Sequence, residues 1–329
     1  MRISKKKLIT ELEVGEKIDD VFLVRKIISG EKPSLLVCDR SGEMRVVFRE
    51  DYDRSALDFI KPGDVIILKD GLISEHNGEK LILLESPRSM ERVEKEEVKL
   101  EDLVPSLDKE TIERLKKDLM NYVKGIKNDH LKILLEEVFL DKDLVERLAK
   151  TPSSMDHHHN YVGGNLEHTL SVARICDFIS KIYKDLDRDL LIAGALLHDI
   201  GKSLEYEPNM VQEKTKEGIL LGHIHLGERI VREKISKIRS RGVEFPEELE
   251  MLIIHMILSH HGKREWGSPE IPKTLEALVL HYADLLDAHI KYHVQKVEEG
   301  VKVGEREWIP IWDHDLKKKK RFYIGEGGR

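Results

Sequence analysis

One apolar run in the chain ends in an adjacent histidine–aspartate pair, and this feature constrains the fold more than any other. Leu190 to Leu197 holds only apolar residues and glycine, and His198 and Asp199 follow it directly. A polar pair of this kind does not help an apolar helix to pack, whereas imidazole and carboxylate are the commonest nitrogen and oxygen ligands of metal ions. We therefore predict a buried helix, residues 189–201, that holds metal ligands. The alternative is a helix with a polar end and Gly201 as its stop signal.

Four further segments place histidine or aspartate in or beside an apolar helical pattern. With His198-Asp199 included, the five segments contain in chain order His, His-Asp, His, His-His and Asp. Histidines that serve only in a hydrophobic core would rarely produce such a series. His225 would lie about 200° around a helix from His223, so we choose only His223. Asp284 follows an apolar run and is preferred to Asp287. The predicted metal ligands are His168, His198, Asp199, His223, His260, His261 and Asp284.

These seven ligands are too many for one ion. Four of them suffice for one site, and the other three histidines complete a second site if Asp199 bridges both. Two ions about 3.5–4 Å apart can polarise a phosphodiester and activate water. Histidine and carboxylate together suit manganese, iron, cobalt or zinc better than magnesium. Lys202 would stabilise charge on the phosphoryl oxygens, so Asp199 and Lys202 are the predicted catalytic residues.

Residues 10–88 show short β-rich runs separated by turn residues, with a short helix from Ser55 to Ile60 after the third run. Five strands with a helix at that place is the order of the OB-fold, a partly open barrel whose face binds oligonucleotides. Such faces combine aromatic and basic side chains. Phe48 and Arg45 are candidates for substrate contact, and the alternative for Phe48 is a place in the core.

The rest of the chain is predicted to be helical. We expect a multidomain protein: an all-β OB-fold barrel (1–90), a charged linker and lead-in helices (91–150), an all-α metal-binding bundle (151–300), and a C-terminal tail without a core of its own (301–329). A loop before His168 carries three consecutive histidines. We expect His158 or His159 to support a metal ligand or to contact substrate, and the alternative is a plain polar loop.

Composition limits the partners and the compartment. The net charge of −7 excludes a broadly basic surface, so contact with nucleic acid must be local. Cys38 and Cys176 form no close-spaced motif, which favours a reducing compartment. No apolar run approaches the roughly 20 residues that a membrane span needs. We expect a cytoplasmic protein without membrane contact, and the sequence leaves open whether it is a homo-oligomer.

Four stretches resemble one known family. The order of histidines and aspartates resembles the HD superfamily of metal-dependent phosphohydrolases. The stretches resemble the YhaM-type 3′–5′ exoribonucleases, which join an N-terminal OB-fold to an HD domain, and the match spans nearly the whole chain. This resemblance implies 3′–5′ polarity, manganese as the working ion, and a functional histidine pair in the loop near residue 158. The stretches are Gly163–His168, Leu197–Lys202, Leu220–Ile224 and, most specific, Leu258–Pro269.

We therefore expect a metal-dependent 3′–5′ exoribonuclease acting on single-stranded RNA, with single-stranded DNA as an open second substrate. One alternative is a non-catalytic single-strand-binding protein with a structural ion, although a structural site needs only about four ligands. Another is an HD-type nucleotide or cyclic-dinucleotide phosphodiesterase. The HD-GYP form has Glu after its histidine pair and ends in Gly-Tyr-Pro, whereas Gly262 follows the pair here.

Overall fold

The chain divides into two compact units. A computed structural model describes residues 2–30, 32–52, 54–76, 78–153, 159, 161–207, 214–302, 307–313 and 318–325. One unit contains Met1–Lys109, and the other contains Glu110–Glu207 and Lys214–Arg329. Within the described ranges, every helix is too short or too polar to cross a membrane.

The first unit is a closed β-barrel with one added strand. The strand order is β1-β2-β3-β5-β4-β6, and β1 also pairs with β4, which closes the first five strands. Strands β3 and β5 run parallel, and a 3-10 helix, Arg54–Leu57, follows β3. The predicted OB-fold is confirmed. The strands are β1 (Lys17–Ile28), β2 (Ser34–Asp39), β3 (Gly42–Phe48), β4 (Val65–His76), β5 (Glu79–Leu84) and β6 (Met90–Val93).

Strand β3 shows how side chains alternate between the core and the solvent. Met44, Val46 and Phe48 are buried, while Arg45 is exposed and donates to the Ser34 hydroxyl at 3.0 Å. Because successive residues of a strand point to opposite faces, Phe48 must share the core side with Met44 and Val46. The expectation that Phe48 stacks on substrate is corrected: its ring belongs to the barrel core.

The charged stretch at residues 89–97 is not only a linker. Met90–Val93 forms β6 and pairs antiparallel with β4, with Leu68 opposite Met90. The side chain of Met90 packs in the barrel core. A four-residue strand at a sheet edge needs only one or two buried side chains, so the charged residues around Met90 conceal it from a periodicity search.

A buried lysine joins the N-terminal segment to the barrel. The Nζ atom of Lys5 donates to Asp20 at 3.2 Å and to the carbonyl oxygen of Val21 at 2.9 Å, and lies 3.7 Å from the Asp39 carboxylate. It also lies 3.2 Å from the ring centroid of Phe22. Burial lowers the pKa of Lys5, and the two carboxylates only partly oppose that effect. The three charges therefore stabilise the barrel only as a set.

Lys5→Ala should destabilise the barrel by about 3–5 kcal/mol, because it leaves Asp20 and Asp39 without their buried cation. Hydrogen exchange of barrel amides across a urea series measures this, because these amides report on the stability of the barrel itself. Lys6→Ala is the matched control: Lys6 is exposed, and its change should stay within about 0.5 kcal/mol. Equal stabilities of the two variants would contradict a stabilising role for the buried set.

The second unit is helical, and polar side chains set several helix boundaries. Asp141 accepts from the backbone N–H of Leu144 and so begins a new helix two residues after the preceding one ends. Asn128, Asp187 and Thr215 begin their helices in the same way. The helices are α1 (Lys109–Lys124), α2 (Asp129–Phe139), α3 (Lys142–Lys150), α4 (Gly164–Ile182), α5 (Arg188–Leu197), α6 (Lys202–Glu205), α7 (Lys216–Ser240), α8 (Glu247–Ser259) and α9 (Leu275–Lys302).

The C-terminal segment, expected to be a tail without a core of its own, contains two strands whose apolar residues are buried together with a residue of α9. Strands β7 (Glu307–Asp313) and β8 (Lys318–Gly325) form an antiparallel hairpin. Ile309, Ile311 and Ile324 are buried together with Tyr292 of α9. The apolar residues of the hairpin therefore share a core with α9 instead of forming one alone.

Candidate metal centre

Helix α5 delivers His198 and Asp199 to the interior of the helical unit. Residues 190–197 are all buried, and α5 packs against α4, α8 and α9. The helix ends at Leu197, four residues before the predicted end, and His198 and Asp199 follow it, almost inaccessible to solvent. A β-carbon on Gly201 would lie 1.9 Å from the carbonyl oxygen of His223. Only glycine at 201 therefore lets the α7 backbone approach Asp199 this closely.

Two metal-ligand candidates are oriented by backbone carbonyl groups three residues earlier. The Nδ1 atom of His198 lies 2.8 Å from the Ala195 oxygen, and that of His260 lies 2.7 Å from the Ile257 oxygen. A carbonyl oxygen can only accept, so Nδ1 carries the proton in both rings. The lone pair of each Nε2 atom is then available to a metal ion.

Two other histidines are oriented in the same manner by different groups. His261 donates from Nδ1 to the Trp266 carbonyl oxygen at 3.1 Å, and His223 Nδ1 lies 3.4 Å from Glu205. The sequence did not predict a role for Glu205, because no motif marks this residue apart from its position six residues after Asp199. Contacts of this kind fix ring orientation and raise the basicity of a ligand.

His168, on α4, is held by Asp287, the residue that the sequence interpretation ranked below Asp284. Its Nδ1 atom lies 2.7 Å from the Asp287 carboxylate, while its Nε2 atom lies 3.1 Å from Asp284 and 3.3 Å from His198 Nε2. Asp284 and Asp287 are three residues apart on α9, so they share one side of that helix. That spacing was the signal that could have assigned Asp287 this role.

The loop histidine His159 reinforces the same carboxylate. Its Nε2 atom lies 3.0 Å from Asp287, and its Nδ1 atom lies 2.9 Å from Glu167. Both of its ring nitrogens thus face carboxylates, which fits support of a ligand better than contact with substrate. His158, the other candidate from this loop, lies outside the described residues.

Among the described residues, three groups of three side chains bring possible ligand atoms together; one is the supporting set His159, His168 and Asp287, and the predicted ligands form the other two. In each group the ligand atoms lie within 4.8 Å of one another. His225, in contrast, is exposed, as expected from its angle to His223. The first group is His168, His198 and Asp284, and the second is His223, His260 and His261.

Asp199 lies between the two groups and directs one oxygen toward each. Its Oδ2 atom lies 3.4 Å from His198 Nε2 and 3.6 Å from His168 Nε2. Its Oδ1 atom lies 3.6 Å from His223 Nε2 and 3.7 Å from His260 Nε2. A carboxylate with this placement can be a ligand of two ions at once.

Three of these atoms are buried without a hydrogen-bond partner among the described residues: Asp199 Oδ1, His223 Nε2 and His260 Nε2. Native interiors rarely leave such atoms unpaired, because each one costs its full desolvation energy. A divalent cation between them would compensate all three. The donor set and its geometry therefore fit a divalent metal ion.

The protonation states agree with that assignment. Burial, together with the neighbouring His261 and His198, holds the pKa of His260 well below its usual range, which keeps its ring neutral. Burial opposes ionisation of Asp199, but Lys202, His198 and His223 together outweigh it and hold the pKa of Asp199 well below its usual range. Burial also opposes protonation of His168, yet hydrogen bonds to Asp284 and Asp287 raise its pKa to about 9. A metal ion bound by the first group would therefore replace the proton that Asp284 holds on Nε2 of His168.

Lys202 lies beside the centre. Its Nζ atom is 2.5 Å from Asp199 Oδ2 and 3.4 Å from the Ser153 hydroxyl. Lys202 and Asp199 both line a cavity of about 140 Å³ that also reaches Asp284. The predicted catalytic pair therefore faces a space that can admit a phosphate group.

Asp287→Ala should weaken divalent-metal binding about 10- to 100-fold without removing a ligand, because His168 loses the group that orients it. Titration of chelator-treated protein with Mn²⁺, followed by calorimetry, measures the affinity. Glu298→Ala, an exposed carboxylate change on the same helix, is the control and should leave the affinity unchanged. Unaltered affinity in Asp287→Ala would refute the proposed support of His168.

The chain is similar to several known proteins. Residues 165–289 match the HD domain family. Among solved structures, the OB domain of a Methanosarcina mazei protein covers 29% of this chain and 87% of its own, at 16% identity and a TM-score of 0.23. The Schizosaccharomyces pombe Pot1pC–ssDNA structure covers 28% and 88%, at 18% identity and a TM-score of 0.24. At such scores, neither likeness indicates what this chain binds.

Curated relatives match almost the whole chain. The 3′-5′ exoribonuclease YhaM of Listeria welshimeri is 32% identical over 310 residues, which cover 91% of this chain and 93% of the relative. The protein of the same name from Bacillus subtilis is 33% identical over 304 residues, which cover 89% and 91%. With a matching HD domain and near-complete coverage of these relatives, the chain belongs to the YhaM family of 3′–5′ exoribonucleases.

Proposed function

We propose that this chain is a metal-dependent 3′–5′ exoribonuclease that removes nucleotides from single-stranded RNA at a centre of two divalent ions. The observation that carries the proposal is the position of Asp199, with one oxygen toward each group of histidines. Membership of the YhaM family supports the reaction and its polarity. Single-stranded DNA has the same phosphodiester chemistry and is proposed as a second substrate.

The ligands are His168, His198, Asp199, His223, His260, His261 and Asp284. Five imidazoles with two carboxylates form a mixed nitrogen and oxygen set, which suits manganese, iron, cobalt or zinc better than magnesium. We favour manganese on the family resemblance. Two bound ions would supply Lewis acidity toward the phosphoryl oxygens and lower the pKa of water.

The protein groups have separate roles in the proposed reaction. Asp199 lies between the two groups of ligands and stays ionised because Lys202 and the neighbouring histidines together outweigh the effect of its burial. Lys202 also directs its positive charge into the cavity, where it would stabilise negative charge that develops on the phosphoryl oxygens. Asp287 and Glu205 hold His168 and His223 in place and contact no substrate in this scheme.

The barrel is proposed to capture the single strand. With Phe48 in the core, Arg45 is the remaining candidate from the sequence for a contact with the phosphate backbone. Cys38 and Cys176 are both buried free thiols, which fits a reducing compartment, and we propose a cytoplasmic location.

Asp199→Ala should lower the rate of hydrolysis by far more than tenfold, since a tenfold loss is only about 1.4 kcal/mol of barrier. The assay follows 5′-labelled single-stranded RNA with Mn²⁺ and looks for a ladder of shortened products. Metal analysis should give about two ions per wild-type chain and fewer in the variant. The exposed Asp185→Ala is the control and should match wild type. A wild type that yields no ladder would refute the proposed function.

Arg45→Ala should weaken binding of long single strands and reduce the salt dependence of that binding. Loss of one phosphate contact lowers the slope of log K against log salt by about 0.7 for a single strand. Anisotropy of a labelled RNA across a salt series measures the slope. Arg88→Ala, another exposed arginine of the barrel unit, serves as the control. An unchanged slope in Arg45→Ala would remove Arg45 from the proposed binding face.

A further inference from the structure

We propose that Trp266 is a binding platform for the unpaired base of the 3′-terminal nucleotide. The inference rests on the proposed exoribonuclease function and adds a base-binding residue to it. Trp266 belongs to the stretch ending at Pro269, and the proposed chemistry uses the backbone of Trp266 but not its side chain.

The cavity at the metal centre is amphipathic. It has a volume of about 140 Å³, and His261 and His281 also contribute to its lining. A nucleotide is amphipathic in the same way, because its phosphate is charged and its base has apolar faces. The charged lining residues are Asp199, Lys202 and Asp284, and the apolar ones are Trp266, Leu285 and Ala288.

The indole of Trp266 is accessible although it lines this cavity. The residue is 38% exposed, and the Nζ atom of Lys263 lies 4.0 Å from its ring centroid. The ring of His281 is tilted, with its centroid 6.2 Å away. Lys263 is itself exposed, and its long side chain can leave the indole at low cost. A base can then stack where the ammonium lies, and the freed ammonium can pair with a phosphate.

Backbone hydrogen bonds fix Trp266 relative to the second group of histidines. Its carbonyl oxygen accepts from His261 Nδ1 at 3.1 Å. The backbone N–H of Ser268 donates to the Lys263 carbonyl oxygen at 3.2 Å, and the Ser268 hydroxyl donates to the Leu258 carbonyl oxygen at 3.1 Å. A base bound to this indole would therefore lie at a defined position from the ligands, as productive alignment of a phosphodiester requires.

Stacking on tryptophan suits an enzyme that must accept every base. All four bases offer a π face, so stacking binds them without reading their sequence. A base paired in a duplex cannot leave its stack without unpairing. The platform would thus contribute to single-strand selectivity at the reactive centre itself, independently of the barrel.

The test pairs a protein change with a substrate change. Short single-stranded RNAs with a normal or an abasic 3′-terminal nucleotide are compared on wild type and Trp266→Ala, both loaded with Mn²⁺. For wild type, KM should be about 5- to 150-fold higher on the abasic strand. For Trp266→Ala, the two strands should give the same KM. Trp266→Phe should restore most of the difference, because phenylalanine still stacks.

Two controls separate base binding from damage to the centre. Metal content should be the same in Trp266→Ala and wild type, since His261 donates to the backbone oxygen of residue 266, which alanine retains. Trp308→Ala removes another exposed tryptophan, from β7, and should keep the wild-type discrimination. Discrimination that persists in Trp266→Ala with full metal content would overturn the inference.

Fluorescence distinguishes failure of the inference from failure of the proposed function. If wild type degrades RNA but treats both strands alike, the platform is refuted and the exoribonuclease stands. If wild type degrades no RNA, the proposed function fails. Quenching of indole emission by the normal strand, reduced in Trp266→Phe, would then still establish base binding. Equal quenching in wild type and Trp266→Phe would refute the binding of a base to Trp266.

Discussion

The structure of the helical unit depends on one buried carboxylate. Asp199 is 2% exposed and stays ionised, which would be unfavourable without compensating positive charge. Lys202 contributes one positive charge, with its Nζ atom 2.5 Å from the Asp199 carboxylate. The Nε2 atoms of His223 and His260 face the other oxygen of that carboxylate at 3.6 and 3.7 Å. The helices around it supply fixed positions: α5 ends beside Asp199, α4 and α9 bring the first group of ligands, and α7 and α8 bring the second.

Much of this arrangement was accessible from the sequence because it depends on local pattern. The apolar run before His198 required a buried helix, and the histidine and aspartate segments had to meet if each faced the interior. The strand order of the barrel followed from turn residues and β-rich runs. In both cases, residues close together in the sequence were enough to predict the type of each element and the order of the elements along the chain.

The missed features depend on contacts that local pattern does not encode. Phe48 is a core residue because the even-numbered positions of β3 face the barrel interior. Which set of positions faces inward is decided by the pairing of β3 with β2 and β5, and that pairing is not local in sequence. Asp287 supports His168 across 119 positions of sequence. The C-terminal hairpin has too few apolar residues to form a core alone, and acquires one only where Tyr292 of α9 lies against it.

Gly222 has a consequence for how this family can vary. It interrupts α7 with φ of 70° and ψ of 161°, immediately before His223. In an uninterrupted helix, each inserted residue would rotate the preceding turn by about 100° relative to the ligand. Here the break separates the two parts, so the bearing of His223 on Asp199 does not depend on the helical phase of the turn from Lys216 to Leu221. A residue inserted at the break would therefore not rotate His223 away from Asp199, whereas the same insertion in an unbroken helix would.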